Sequence, residues 1–282
     1  MKQFPIGAML ESFRLGTKEA IEKAAQLGVQ GLQMYATQGE HAPENMTPAA
    51  RRELLDMVKS NGLEFSAICG DFGHGFGNPE KNSQLIERSK RVMDLACDLE
   101  TNIVTTHIGV VPADPAHPRY AIMQEACGIL SEYADSMQSH FAIETGPETA
   151  SVLKPFLDGL HSKGVAVNLD PANLVMVTGD DPVQAVHTLG DYIVHTHAKD
   201  GRKLLDKDPE IIYGLVEEEI KTGRAFVELP LGEGDVPFPA YLAALEEIGY
   251  EGYLTIEREV GDQPVVDIQT AVNYLKQLTG RQ

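Results

Sequence analysis

The sequence predicts an α/β chain folded as a (β/α)8 TIM barrel, and three observations lead there. Short β-branched runs alternate with longer amphipathic ones along the 282 residues, which is the pattern of strands alternating with helices. The connection into a strand usually carries glycine, as in Gly28-Val29, Gly62-Leu63, Gly164-Val165 and Gly249-Tyr250, where a left-handed residue closes the preceding helix. Eight right-handed parallel crossover units fit a chain of this length.

In chain order, strands are expected at 4–9, 30–35, 64–69, 102–107, 141–145, 165–170, 192–197 and 253–257. Helices between them include Thr17–Leu27, Thr47–Asn61 and Asn82–Leu99, with Thr47 as a cap and Pro48 in the first turn of the second. Apolar residues at helical spacing, such as Ile86, Val92, Met93, Leu95 and Ala96, are read as core. The seventh unit departs from the pattern. Residues 200–237 form an insertion between the seventh and eighth strands, with a charged helix expected around Pro209–Thr222 and a glycine-rich turn, LGEGDVP. The acidic run Glu217-Glu218-Glu219 reads as a solvated helix face. No linker or composition break interrupts the chain, so 1–282 is read as a single domain.

Composition narrows the function. Hydrophobic content of 43% supports a full core, and a formal net charge of −19 disfavours nucleic acid and anionic membrane surfaces as partners. Cys69, Cys97 and Cys127 stand far apart with no CxxC pair, as expected for unpaired thiols in a reducing compartment. MKQFPIGAMLESFRL carries Pro5, Glu11 and Arg14 where a signal peptide needs an apolar stretch. A soluble, cytoplasmic protein is the expectation.

Four strand-like runs end on metal-ligating residues: Glu144 in HFAIETG, Asp170 in VAVNLDP, His197 in YIVHTHAKD and Glu257 in YLTIERE. Parallel neighbouring strands would converge these side chains on one mouth of a barrel. Three carboxylates would repel one another there without a cation. Carboxylates with one imidazole suit manganese, magnesium or cobalt better than a thiolate-seeking ion. His195 lies on the same strand face as His197, so either could be the ligand; His197, at the strand end, is preferred.

The set IETGPET, LDPANL, VHTHAKDG, GEGDVPF and TIERE resembles the sugar phosphate isomerase/epimerase group of xylose isomerase-like barrels. That superfamily also holds tagatose 3-epimerase, hydroxypyruvate isomerase, inosose dehydratase and endonuclease IV. The resemblance spans the chain, with its specific motifs in the second half. It implies one divalent cation, manganese first and magnesium, cobalt or zinc as alternatives, held by Glu144, Asp170, His197 and Glu257. It also implies that Glu144 and Glu257 exchange protons with a small carbohydrate through an enediolate. Relatives commonly form dimers or tetramers, so a homo-oligomer is in keeping with it.

Other residues are expected near substrate. His107 ends the fourth strand, and Asn173 stands in DPAN where many relatives carry a histidine that serves a second metal or a substrate oxygen. Lys199 could steady an enediolate oxygen, with Asp200 beside it, while Glu148, Arg202 and Arg258 could touch substrate. The loop Gly73-His74-Gly75-Phe76-Gly77 is read as a lid carrying His74, with Phe76 as its apolar cover. Phe13, Tyr35 and Phe72 are further candidate covers, and Gly232-Glu233-Gly234 could offer N–H groups to an anion.

A keto-sugar isomerase or epimerase is the leading reading. An inosose-type dehydratase uses the same proton abstraction, then expels a β-hydroxyl. An endonuclease IV-like nuclease needs further histidines and conflicts with the charge. A non-catalytic sugar-binding barrel would not need the quartet. With no Arg-Lys cluster at the strand ends, a neutral sugar, cyclitol or keto-glycoside is favoured over a sugar phosphate.

Overall fold

Eight parallel strands close on themselves in the order β1-β10-β7-β6-β5-β4-β3-β2 in the computed structural model, which describes residues 3–218 and 222–280. They are β1 (Ile6–Met9), β2 (Gly31–Tyr35), β3 (Glu64–Cys69), β4 (Ile103–Thr106), β5 (His140–Glu144), β6 (Val165–Leu169), β7 (Ile193–Ala198) and β10 (Leu254–Ile256). Each falls inside or within a residue of its expected span. The closed barrel is the predicted fold class.

The helices are α1 (Thr17–Leu27), α2 (Pro48–Ser60), α3 (Pro79–Asp98), α4 (Pro118–Ser136), α5 (Ala150–Asp158), α6 (Pro171–Asn173), α7 (Pro182–Leu189), α8 (Pro209–Ile212), α9 (Phe238–Glu247) and α10 (Pro264–Thr279); the long ones flank the barrel, and the short α6 and α8 lie at the cavity. Seven of these, α2, α3, α4, α6, α7, α8 and α10, begin on proline, whose fixed φ suits the first helical position and whose missing N–H would be unbonded there anyway. Side-chain caps sit just before several of them, for example Thr47 accepting from the Ala50 N–H and Asn78 from the Glu80 N–H. The Asn78-Pro79 start corrects the expected Asn82 start of α3: Asn82 already lies inside the helix, buried and donating to the Phe76 carbonyl. Gly28, Gly62 and Gly249 take positive φ at helix ends as expected. Gly164 does not; a Cβ there would lie 2.1 Å from the Ser131 carbonyl oxygen, so glycine admits the close approach of α4.

The insertion differs most from expectation. It carries an antiparallel pair, β8 (Asp200–Lys203) and β9 (Phe226–Leu229). The only helix described between them is α8, which stops at Ile212, where Gly214 at φ +71 turns the chain. Residues 219–221 of the expected Pro209–Thr222 helix, including Glu219 of the acidic run, lie outside the described residues. Glu218 accepts hydrogen bonds from Lys207 and Thr222, so it is part of a local network. Among the described residues no helix is long and apolar enough to cross a membrane.

Candidate metal centre

The carboxyl ends of β5, β6, β7 and β10 bring Glu144, Asp170, His197 and Glu257 together. All four are buried, and each offers a ligand atom within 4.8 Å of the others'. The register explains the convergence: Glu144 pairs with Asn168, Leu169 with Thr196, and His197 with Thr255, so the strand ends finish level. A bulge places His195 opposite Asn168 in place of Val194, so the two histidines face inward together.

A layer of buried polar side chains beneath the quartet settles which histidine faces it. Gln33 donates through Nε2 to Thr105 Oγ1 at 2.9 Å and accepts at Oε1 from His197 Nε2 at 3.0 Å. With Nε2 donating to Gln33, His197 turns Nδ1 toward the carboxylates. Burial would lower its imidazole, but Glu257, Glu144 and Asp170 raise it well above the usual histidine range. Nδ1 lies 3.5 Å from Glu144, 3.4 Å from Asp170 and 3.3 Å from Glu257. His195 is satisfied on both nitrogens, with Nδ1 against Asn168 Oδ1 and Nε2 against Thr255 Oγ1, each at 2.9 Å. Burial and the neighbouring His197 hold it neutral, well below the usual histidine range. It serves as a packed floor residue.

The centre fits a divalent cation. Three carboxylates face one Nδ1 at 3.3–3.5 Å, a donor set that a shared divalent cation would neutralise. Outer partners orient the ligands. Asn168 Nδ2 donates to Glu144 Oε2 and Asn173 Nδ2 to Glu144 Oε1, both at 3.1 Å. Asp170 Oδ1 caps the Asn173 N–H at 2.9 Å, and α6 then passes into a single π-type turn, Leu174–Thr178. A Cβ on Gly146, at φ +141, would meet Asn173 Cβ at 2.5 Å, so glycine lets that turn press against β5.

Charge is balanced around the quartet. Lys199 Nζ lies 2.9 Å from Glu257 and 2.6 Å from Glu259. Burial would discharge Lys199, but Glu257, Asp170 and Glu259 hold its ammonium well above the usual range. Burial likewise pushes Glu257 up, and Lys199 and His197 more than reverse it, keeping the carboxylate ionised. His107 Nδ1 lies 3.2 Å from Asp71 Oδ2 while Nε2, with no hydrogen-bond partner, sits 3.7 Å from Glu144. Burial would lower His107, yet Glu144 and Asp71 push it up to about 9.

These groups line a cavity of about 230 Å³ that includes Glu144, Glu257, Asn173, Lys199 and His107. Asp71, Tyr35, Ile212, Tyr213 and Phe226 complete much of its wall. His74 lines an adjoining cavity instead. Glu148 lines neither; its Oε2 accepts from the Val111 N–H in the interior. Arg258 is tied to Glu228 and Asp267, and Arg202 to Asp235. Asp200 supplies the anion that the glycine turn holds, accepting from the N–H groups of Gly232, Gly234 and Val236. Phe13 and Phe76 are core residues, Phe72 lies under Arg88, and only Tyr35 of the expected covers reaches the cavity.

Sequence reasoning missed Asp71, Gln33 and Tyr213. Asp71 follows β3 as the quartet follows its strands, and Gln33 interrupts the apolar run GLQMY, so both carried a readable signal. Tyr213 carried none.

A family model described as xylose isomerase-like TIM barrel matches residues 21–278. The uncharacterized protein YfiH of Bacillus subtilis is 30% identical over 159 residues, 54% of this chain and 48% of its own. An inosose dehydratase of Lacticaseibacillus casei is 26% identical over 120 residues, 43% of this chain and 39% of its own. The chain thus spans about half the length, or less, of these curated relatives. Among solved structures, a xylose isomerase domain protein from Planctomyces limnophilus superposes with TM-score 0.80 at 26% identity, covering 98% of this chain and 97% of the other. D-psicose 3-epimerase from Clostridium cellulolyticum H10, with D-tagatose, gives 0.72 at 16% over 98% and 99%. A xylose isomerase-like barrel protein from Mycobacterium smegmatis in complex with magnesium gives 0.73 at 17% over 99% and 98%. The last two likenesses are of fold.

Proposed function

Because the chain belongs to the xylose isomerase-like TIM barrel family, we propose that it is a divalent-metal-dependent isomerase or epimerase of a keto sugar or sugar derivative. The observation that carries this reading is the buried Glu144-Asp170-His197-Glu257 set, with Gln33 holding Nε2 of His197 so that Nδ1 faces the carboxylates. These four residues would hold the ion, manganese first, with magnesium, cobalt or zinc as alternatives. When bound, the ion would polarise a carbonyl and its neighbouring hydroxyl and so acidify the C–H beside them.

The side chains account for the remaining steps. Glu257, kept ionised by Lys199, takes the proton from the carbon next to the carbonyl, leaving an enediolate. Glu144, held by Asn168 and Asn173 on a strand across the mouth, returns a proton from another direction. His107, oriented by Asp71, donates through Nε2 to a substrate oxygen. Ile212, Tyr213 and Phe226 of the insertion shield the reacting carbon from water.

A dehydratase is the second reading, supported by the same His107. Its unpartnered Nε2–H beside Glu144 is placed to protonate a departing β-hydroxyl, and inosose dehydratases are among the relatives. One experiment separates the readings. The manganese-loaded protein is incubated in D₂O with ketohexoses, ketopentoses, inososes and 3-keto-glycosides, and followed by NMR. Deuterium on a carbon beside the carbonyl, lost in Glu144→Gln and Glu257→Gln, is the expected result; the product then distinguishes isomer, epimer and dehydrated ketone. No exchange with any of them would count against enediolate chemistry.

A further inference from the structure

We propose that the cavity beside the metal centre is the subsite for a second, hydroxylated moiety of the substrate, so that the ring processed is part of a glycoside. This rests on the keto-sugar reading above and adds the class of substrate. The inner chamber of about 230 Å³ holds roughly the volume of eight liquid waters, which one six-carbon ring fills. Next to it lies a chamber of about 430 Å³, far more than a monosaccharide bound at the quartet would use.

The two chambers share a wall made by Asp71, His107 and Tyr213. His107 therefore presents one edge to Glu144 and another side to the outer chamber, with the Tyr213 ring 5.6 Å from its own. A glycosidic bond passing this wall would leave the second ring among both polar and apolar side chains. His74, Asn78 and Lys81 supply polar groups to its lining, and Tyr213 and Leu215 apolar surface. That mixture suits a sugar, whose edges carry hydroxyls and whose faces carry C–H groups. Leu215 is 44% exposed, an apolar lining side chain that a bound ring would cover.

The outer chamber is built into the fold. The lining loop at 73–77 is fastened to the segment just after β4 by the Phe76 N–H, which donates to the Ile108 carbonyl at 2.8 Å. The Phe76 ring is buried against Phe141. Asp71 Oδ1 closes the loop's first turn by accepting from the Gly73 N–H at 2.7 Å. A Cβ on Gly75 would stand 2.5 Å from the Ile108 oxygen, so the loop can lie this close only with glycine there. The segment carrying Tyr213 and Leu215 follows α8, which is held by its Asp208 cap and by the Arg119–Glu210 ion pair to the start of α4.

The test is calorimetric titration of the manganese-loaded protein with 3-keto-glucose and with 3-keto-trehalose. The disaccharide should bind at least tenfold more tightly. Leu215→Trp and Lys81→Trp, which fill the outer chamber from positions outside the inner one, should bring it down to the monosaccharide's affinity. Monosaccharide binding should stay within twofold, which also shows that the variants fold. Equal affinities in the native protein, or variants that weaken both ligands alike or neither, would overturn the proposal. So would a ketohexose phosphate binding more tightly than the disaccharide. If neither ketone binds, the keto-sugar reading fails and the subsite falls with it; if the monosaccharide binds with no gain for the disaccharide, only the subsite falls.

Discussion

Replacing Glu148 by glutamine should flatten the stability of this protein between about pH 5 and pH 8. The Glu148 carboxyl is 6% exposed; Oε2 accepts from the Val111 N–H at 3.0 Å and Oε1 has no hydrogen-bond partner. Burial pushes it from 4.5 up to about 8, against the opposing pull of Val111 and His107. Below pH 4.5 folded and unfolded chains both hold the proton, and the group adds no pH dependence. Between 4.5 and 8 the folded chain binds one proton more than the unfolded one, so stability falls as pH rises, by about 1.4 kcal/mol per unit. Above 8 both forms are ionised and the loss is complete. From pH 5.5 to 7.5 the native protein should therefore lose about 3 kcal/mol that Glu148→Gln retains, or roughly 5–10 °C in Tm for a chain of this size. Thermal unfolding followed by circular dichroism at both pH values, with chelator present throughout, measures the difference. Tm curves that run parallel for the two proteins, or a native protein that gains on the variant as pH rises, would refute the reasoning.

Manganese at a hundredfold excess over Kd should stabilise the protein by about 2.7 kcal/mol; a calorimetric scan in which the native Tm does not move, or moves equally in Asp170→Asn, would count against the metal centre. Gln33→Met removes the acceptor that keeps the His197 proton on Nε2 and should weaken metal binding ~10–100-fold. Unchanged affinity by isothermal titration would show that Gln33 only fills space. Gly75→Ala combines φ +59 with a Cβ 2.5 Å from the Ile108 oxygen and should cost about 2–4 kcal/mol. Gly62→Ala has φ +74 but nothing within 4 Å and should cost only about 1 kcal/mol. Equal losses in urea titrations would mean that the approach of the two loops is not what demands glycine at 75.

The barrel was readable because its signals are local. A β-branched run, a proline at a helix start and a glycine at a helix end each act within a few residues, so every barrel strand could be located. Where a stop signal depends on contacts, the reading failed: α8 ends at Ile212 although the charged pattern continues, and the β8–β9 pairing has no alternation strong enough to announce it. Phe76 looked like a lid residue because its flanking glycines suggest freedom; those glycines instead allow the loop to pack down, burying the ring. At the site, residue type and strand-end position were enough to nominate the quartet. The choice of His197 over His195 needed tertiary partners, Gln33 for one and Asn168 with Thr255 for the other. Asp71 and His107 come from different strands and meet only in three dimensions.

The β8–β9 hairpin lies outside the closure of the barrel, since β7 pairs directly with β10. Its base is sealed by its own ladder and by the Asp200 carboxylate holding the turn at residues 232–236. The chain between β8 and β9 can therefore lengthen or shorten in evolution while the strands that present Glu144, Asp170, His197 and Glu257 keep their register. The stretch that brings Ile212, Tyr213 and Phe226 to the cavity wall is thus anchored apart from the strands that carry the candidate ligands, and the two can drift independently.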